Sequence, residues 1–309
     1  MHEGTQPIGM FDSGLGGLSV YREVRKYLPA EDVIYYADSA YCPYGTRSPE
    51  EIRQRCHMIS RLLIEQGSKI IVVACNTASS MAIDFLRFSF PHISFVGLEP
   101  AVKPAAEITR TGKVGVLATP RTVAGDRLRW LIETHASGVE VRTTPGNGLV
   151  ELVEAGTLRG EMVRETFGPM LAPMLEAGVD VVVLGCTHYP FLRDEIQDYV
   201  GPEVEIIDSG AAIARRIINV LRAQNLLGES NQQGSFRLLT SAPAEETGRV
   251  ASLLLGMPIS AEEMRCQSHA ERKEAVSLPG PPGLTTSGRD CPEASPSVVE
   301  PVPASAVRQ

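Results

Sequence analysis

Apolar residues along this chain follow two rhythms. Short unbroken runs predict strands at 8–11, 33–37, 70–74, 94–97, 114–118, 139–142, 181–185 and 205–207. Between them, 50–66 carries Ile52, Cys56, Ile59, Leu62 and Leu63 at helical spacing, and 124–134, 164–177 and 211–223 share that period. Trp130, inside one of these helical stretches, is expected in the core. Strands alternating with helices predict βαβ units around mostly parallel sheets, an α/β fold. The rhythm stops at Cys266. The remainder has seven prolines, no period and few large apolar residues, too little to offset its ordering entropy. A disordered tail is expected over 266–309.

Two of the strands end alike. IIVVACNTAS (70–79) and VVVLGCTHYP (181–190) each run from apolar residues into a thiol and then into hydrogen-bonding side chains. EQGSKIIVVAC (65–75) aligns without gaps on EAGVDVVVLGC (176–186), which places Cys75 on Cys186 at an offset of 111 residues. PIGMFDSG (7–14) aligns on KVGVLATP (113–120) at an offset of 106, with Gly9 on Gly115 and Ser13 on Thr119. The chain therefore reads as two related α/β halves. Each has one strand ending in cysteine and one ending in a hydroxyl.

Parallel sheets bind ligands at the carboxyl ends of their strands. Two such halves face to face put Cys75 and Cys186 on opposite sides of one cleft. That suits a reaction that takes a proton from one face of a carbon and returns one to the other, the thiols alternating as acid and base. A thiol pKa of ~8.5 lies within reach of neutrality. Asp12 precedes Ser13-Gly14-Leu15-Gly16-Gly17 and can handle a proton for Cys75; His188 can do so for Cys186. Ser13, Asn76, Thr77 and Thr187 add neutral donors, and helix N-termini add backbone N–H groups. Together they make a cradle for carboxylates.

Composition narrows the partners. A chain of 309 residues has room for one large or two medium domains. Its formal net charge of −8 argues against a nucleic acid or an anionic membrane as partner. No apolar run reaches the ~18 residues of a membrane span, and no charged-then-apolar leader is visible. A cytoplasmic protein is expected, its six scattered cysteines reduced. Only five lysines occur, none in a strand-end motif, so no pyridoxal Schiff base is indicated and a cofactor-free reaction is favoured.

FDSGLGGLSV (11–20), YCPYG (41–45), ACNTAS (74–79) and GCTHYP (185–190) resemble the signature segments of glutamate racemases, in the aspartate/glutamate racemase family. The resemblance spans about residues 8–264. It implies cofactor-independent interconversion of L- and D-glutamate, which supplies D-glutamate for bacterial peptidoglycan. It implies that Cys75 acts on the D-isomer and Cys186 on the L-isomer. Asp12, His188 and Glu154, the last in LVELVEAG (149–156), would assist proton handling. Asp12, Ser13, Tyr44, Gly45, Asn76, Thr77, Thr187 and His188 would bind glutamate. The family pattern further implies two α/β domains, 1–98 with 207–265 and 99–206, and a homodimer. One departure is visible: the Cys-Pro that often precedes LVELVEAG is Thr144-Pro145 here.

Other readings remain open at this point. A related racemase of aspartate or a hydantoin shares the chemistry. A dinucleotide site would use Gly14-Leu15-Gly16 and Asp38, but Ser19 occupies the third glycine position and Asp12 sets a negative charge beside the pyrophosphate. A metal site on Cys186, His188 and Cys75 lacks a fourth ligand, so no metal is expected. A hydrolase with a Cys186–His188 nucleophile pair leaves Cys75 unexplained. A binding protein would use the thiols only as packing. Tyr44 could merely pack, and Glu154 could lie on a solvated helix face.

Overall fold

The computed structural model describes residues 6–228 and 232–266. Among the described residues, ten strands form two sheets in which every pairing is parallel. The strands are β1 (Ile8–Asp12), β2 (Val33–Ala37), β3 (Ile70–Val73), β4 (Ser94–Gly97), β5 (Lys113–Ala118), β6 (Glu140–Pro145), β7 (Val181–Leu184), β8 (Glu205–Ile207), β9 (Phe236–Thr240) and β10 (Ala261–Glu263). The larger sheet has the order β10-β9-β2-β1-β3-β4, and the smaller β6-β5-β7-β8.

The α-helices among the described residues are α1 (Leu18–Tyr27), α2 (Pro49–Glu65), α3 (Asn76–Ser89), α4 (Val102–Ile108), α5 (Pro120–Val123), α6 (Asp126–His135), α7 (Leu149–Glu154), α8 (Glu161–Glu176), α9 (Arg193–Val200), α10 (Gly210–Ala223) and α11 (Ala244–Leu255). None is long and apolar enough to cross a membrane.

The internal repeat is visible in the topology. β2-β1-β3-β4 has the same order as β6-β5-β7-β8. The register repeats too: Ile8 pairs with Ile70, and Val114 with Val181. Those four residues are related by the same offsets, 106 and 111, that align the two halves in sequence. β1, β2, β3 and β7 are buried along their whole length, which is why they read as unbroken apolar runs rather than alternating ones.

The edges differ from expectation. β9 and β10 extend the larger sheet beyond β2 and were not predicted. β10 is the three residues Ala-Glu-Glu, half-exposed to exposed, and such an edge carries no apolar signal. β6 runs on to Pro145 as a largely exposed edge strand. Trp130 is 45% exposed, contrary to its expected burial. Leu128 and Leu131 take the core side of α6, and Trp130 lies against Arg127 instead, 4.2 Å from guanidinium carbon to ring centroid. The segment expected to be a disordered tail lies, from residue 267 onward, outside the described residues. Cys266 faces the Tyr36 hydroxyl at 3.4 Å.

Candidate active site

Both strand-end thiols come from the inner strands of their sheets. Cys75 follows β3 by two residues and caps the 14-residue helix α3, whose first N–H groups lie beside it. Cys186 follows β7 by two residues. Each is 6% exposed. They meet at a small cavity of about 10 Å³ between the carboxyl ends of the two sheets. Its wall includes Ser13, Tyr44, Gly45, Cys75, Asn76, Thr77, Cys186, Thr187 and His188, nine of the eleven candidate residues. Asp12 and Glu154 do not line it but stand behind it, bonded to residues that do.

Each thiol has its own polar neighbours. Cys75 Sγ lies 3.9 Å from Ser13 Oγ, and Ser13 N donates to Asp12 Oδ1 at 2.6 Å. Asp12 Oδ2 accepts from Gly17 N at 2.6 Å and from the Thr187 hydroxyl at 3.1 Å, so it also reaches the other half of the chain. Cys186 Sγ is 3.7 Å from His188 Nδ1, and His188 Nε2 is 2.6 Å from Glu154 Oε1. Glu154 Oε1 accepts from Leu15 N at 2.6 Å. Close backbone approach makes this possible. A Cβ at Gly14 would lie 2.2 Å from Glu154 Oε1, and one at Gly16 would lie 2.2 Å from His188 Nδ1. These contacts, rather than a nucleotide, account for Gly14 and Gly16 of DSGLGG, and Gly17 is held by Tyr35 and Ala74.

Burial dominates the electrostatics. It pushes Asp12 above its ordinary value, opposed by the His188 charge and by hydrogen bonds from Cys75, Ser13 and Gly17. It pushes the Cys75 thiol well up, with the Asp12 carboxylate adding to the effect, so Cys75 rests as a thiol. For His188 burial acts downward, but hydrogen bonds to Cys186, Cys42 and Glu154 outweigh it and hold the imidazole well above its usual range. A raised folded-state pKa gives stability that is fully present below the unfolded value, about pH 6.5, and lost as pH rises through the folded value. The unfolding free energy, followed by urea titration from neutral to alkaline pH, is therefore expected to fall more steeply in the native protein than in His188→Asn. Parallel pH profiles would contradict the assignment.

Tyr44 is buried against the cavity, but its hydroxyl donates to Asp38 Oδ2 at 2.6 Å. Asp38 is itself held by Arg55 at 2.6 and 2.9 Å. This carboxylate is fully buried and fully engaged, which removes it as a ribose-binding acid. Asn76 Nδ2 is buried without a hydrogen-bond partner. An unmet buried donor costs about 1–3 kcal/mol, and it sits where a ligand acceptor would satisfy it.

Three residues missing from the candidate set also belong here. Thr119 lines the cavity, with its hydroxyl 3.0 Å from that of Thr77. Its alignment on Ser13 was the signal that could have found it. Val150 adds an apolar wall. Cys42, in YCPYG, packs against His188 and Glu154, and burial pushes its thiol up to about 11.

The sequence model of the Asp/Glu/Hydantoin racemase family matches residues 8–217. Together with two parallel sheets meeting at paired thiols, this defines the class: the chain belongs to the Asp/Glu/hydantoin racemase family. Relatives that it resembles include glutamate racemases. The one from Herpetosiphon aurantiacus is 52% identical over 249 residues, covering 81% of this chain and 98% of the relative. The one from Pseudomonas aeruginosa PAO1 is 49% identical over 253 residues, covering 82% and 95%. Among solved structures, Escherichia coli glutamate racemase, in complex with L-glutamate and the activator UDP-MurNAc-Ala, has a TM-score of 0.73 at 34% identity, covering 84% of this chain and 97% of that one. Francisella tularensis glutamate racemase, in complex with D-glutamate, has a TM-score of 0.74 at 28% identity, covering 85% and 98%.

Proposed function

We propose that this protein interconverts L- and D-glutamate by two-thiol acid–base catalysis, supplying D-glutamate for peptidoglycan. The observation that carries this reading is the pairing of Cys75 and Cys186, one from each half, on one cavity. One thiol, deprotonated, takes the α-proton; the other, as the acid, protonates the opposite face. Cys75 serves the D-isomer and Cys186 the L-isomer. Asp12 takes up the Cys75 proton, and Glu154 and His188 form a relay to Cys186. Ser13, Asn76, Thr77, Thr187 and the N-terminus of α3 receive the substrate carboxylates, while Tyr44 and Gly45 wall the site.

A cavity of about 10 Å³ is near the minimum for a single water, so glutamate enters only after the site opens. Two domains, 1–98 with 207–265 and 99–206, would part along the bonds Leu15–Glu154, Thr187–Asp12 and Ser19–Thr187. The protein would act in the cytoplasm as a homodimer, without cofactor.

The direct test is optical rotation of pure L- and D-glutamate with protein dialysed against chelator and carbonyl reagent. Rotation should decay to zero from both sides. Decay only with added pyridoxal, metal or nicotinamide, or with aspartate and not glutamate, overturns the reading. The helper assignment has its own readout. Asp12→Asn and His188→Asn should both slow turnover but alter the solvent-deuterium isotope effects differently for the two starting isomers. The ratio of kcat/KM values stays at the equilibrium constant near one. Identical isotope-effect changes in both directions would refute one helper per thiol.

A further inference from the structure

Among the described residues, one group of histidine, cysteine and acidic side chains has three donor atoms all within 4.8 Å of one another: Cys42, Glu154 and His188. We propose that these three form an inhibitory Zn²⁺ site on the outer side of the cavity. The donor set is thiolate, imidazole and carboxylate, which selects Zn²⁺ over Mg²⁺ or Ca²⁺. The two anionic ligands balance the ion's charge, which matters in a site that is largely buried. Tetrahedral zinc separates its ligand atoms by about 3.3–3.6 Å, given bonds of roughly 2.0–2.3 Å. The His188–Glu154 contact at 2.6 Å has to widen by about 1 Å or less to reach that spacing.

The surroundings bring the donors together and offer a route. Only a glycine fits at position 14 beside them: a Cβ there would lie 2.2 Å from Glu154 Oε1 and 3.0 Å from Cys42 Sγ. The Glu154 side chain is 19% exposed, so the ion can arrive from solvent without the cleft opening. The fourth position is left to water. On binding, the Cys42 proton and the His188 Nε2 proton leave to solvent. Nε2 then carries the metal and no longer exchanges a proton with Glu154, so the relay to Cys186 is cut. Every turnover uses Cys186 as acid or base, so inhibition is expected in both directions. The inhibitory effect rests on the proposed catalytic reading; the binding itself does not.

The experiment uses the chelator-treated full chain. Calorimetry should find one Zn²⁺ per chain. Co²⁺ should give a thiolate charge-transfer band in the native protein and in Cys75→Ser/Cys186→Ser, but not in Cys42→Ser. Cys42→Ser should raise the half-inhibitory Zn²⁺ concentration at least about tenfold. In the unsubstituted protein, which needs no variant to fold, Zn²⁺ should slow iodoacetamide alkylation of Cys42 by about tenfold or more, read by peptide mass. No bound Zn²⁺, an unprotected Cys42, or a cobalt band that survives Cys42→Ser overturns the proposal. A band lost when the catalytic thiols are removed does so too, and moves the metal onto those thiols. Binding and protection without any glutamate turnover would leave the metal site standing and sink the racemase reading alone.

Discussion

Serine at Cys75 or at Cys186 is expected to lower racemisation by about a hundredfold or more, in both directions. The expectation follows from how the site is divided. A one-base enzyme would use a single thiol for both isomers, and loss of the second cysteine would be a packing change in one methylene-sized group. Here each thiol stands on a separate sheet, and each has a separate set of proton partners, Asp12 through Ser13 for one and His188 with Glu154 for the other. Each turnover needs one as base and the other as acid. A serine hydroxyl is too weak an acid and its alkoxide too rare at neutral pH to replace either. The measurement is initial-rate polarimetry from each isomer, with circular dichroism to establish that the fold is kept. Full activity in either variant would end the two-thiol mechanism.

What could be read from the sequence depended on how a residue's signal was spread. The inner strands were legible because burial on both faces makes them continuous apolar runs. The repeat was legible because the register of β1 on β3 and of β5 on β7 rests on equivalent residues. Cys75 and Cys186 stood out because polar residues follow each strand at once. Glu154 could be reached only by resemblance. It lies near the end of the six-residue helix α7 and meets His188 and Leu15 from far along the chain. Cys42 was quoted within a motif yet not assigned a neighbour, since only folding places it against residues 154 and 188. Trp130 was misplaced by its helical period: the face it occupies is opposite Leu128 and Leu131, and an aromatic ring can cover an arginine at the surface.

Arg55→Met is expected to cost about 3–5 kcal/mol, because it leaves a buried carboxylate unpaired. Asp38 is fully buried, and the Arg55 side chain is 6% exposed. Arg55 meets both Asp38 oxygens, and its guanidinium lies 3.8 Å from the Tyr41 ring centroid. Removing the arginine deletes the charge partner and that stacking while Tyr44 still donates to Asp38. By contrast, Arg87–Asp84 is exposed at both ends, and its removal should cost no more than about 1 kcal/mol. For a chain of this size, 3–5 kcal/mol corresponds to a fall in Tm of roughly 6–20 °C. The second expected effect is on the site. Asp38 fixes the Tyr44 hydroxyl, and the turn that follows carries Gly45 against Thr119. KM for glutamate should rise with the loss of that wall, more than kcat falls. Asp38→Asn in the Arg55→Met background removes the stranded charge and should restore part of the lost stability, since the two residues share one interaction. Thermal melts of the single and double variants decide it: a double variant no more stable than Arg55→Met alone would show that packing, not the buried charge, carries the cost.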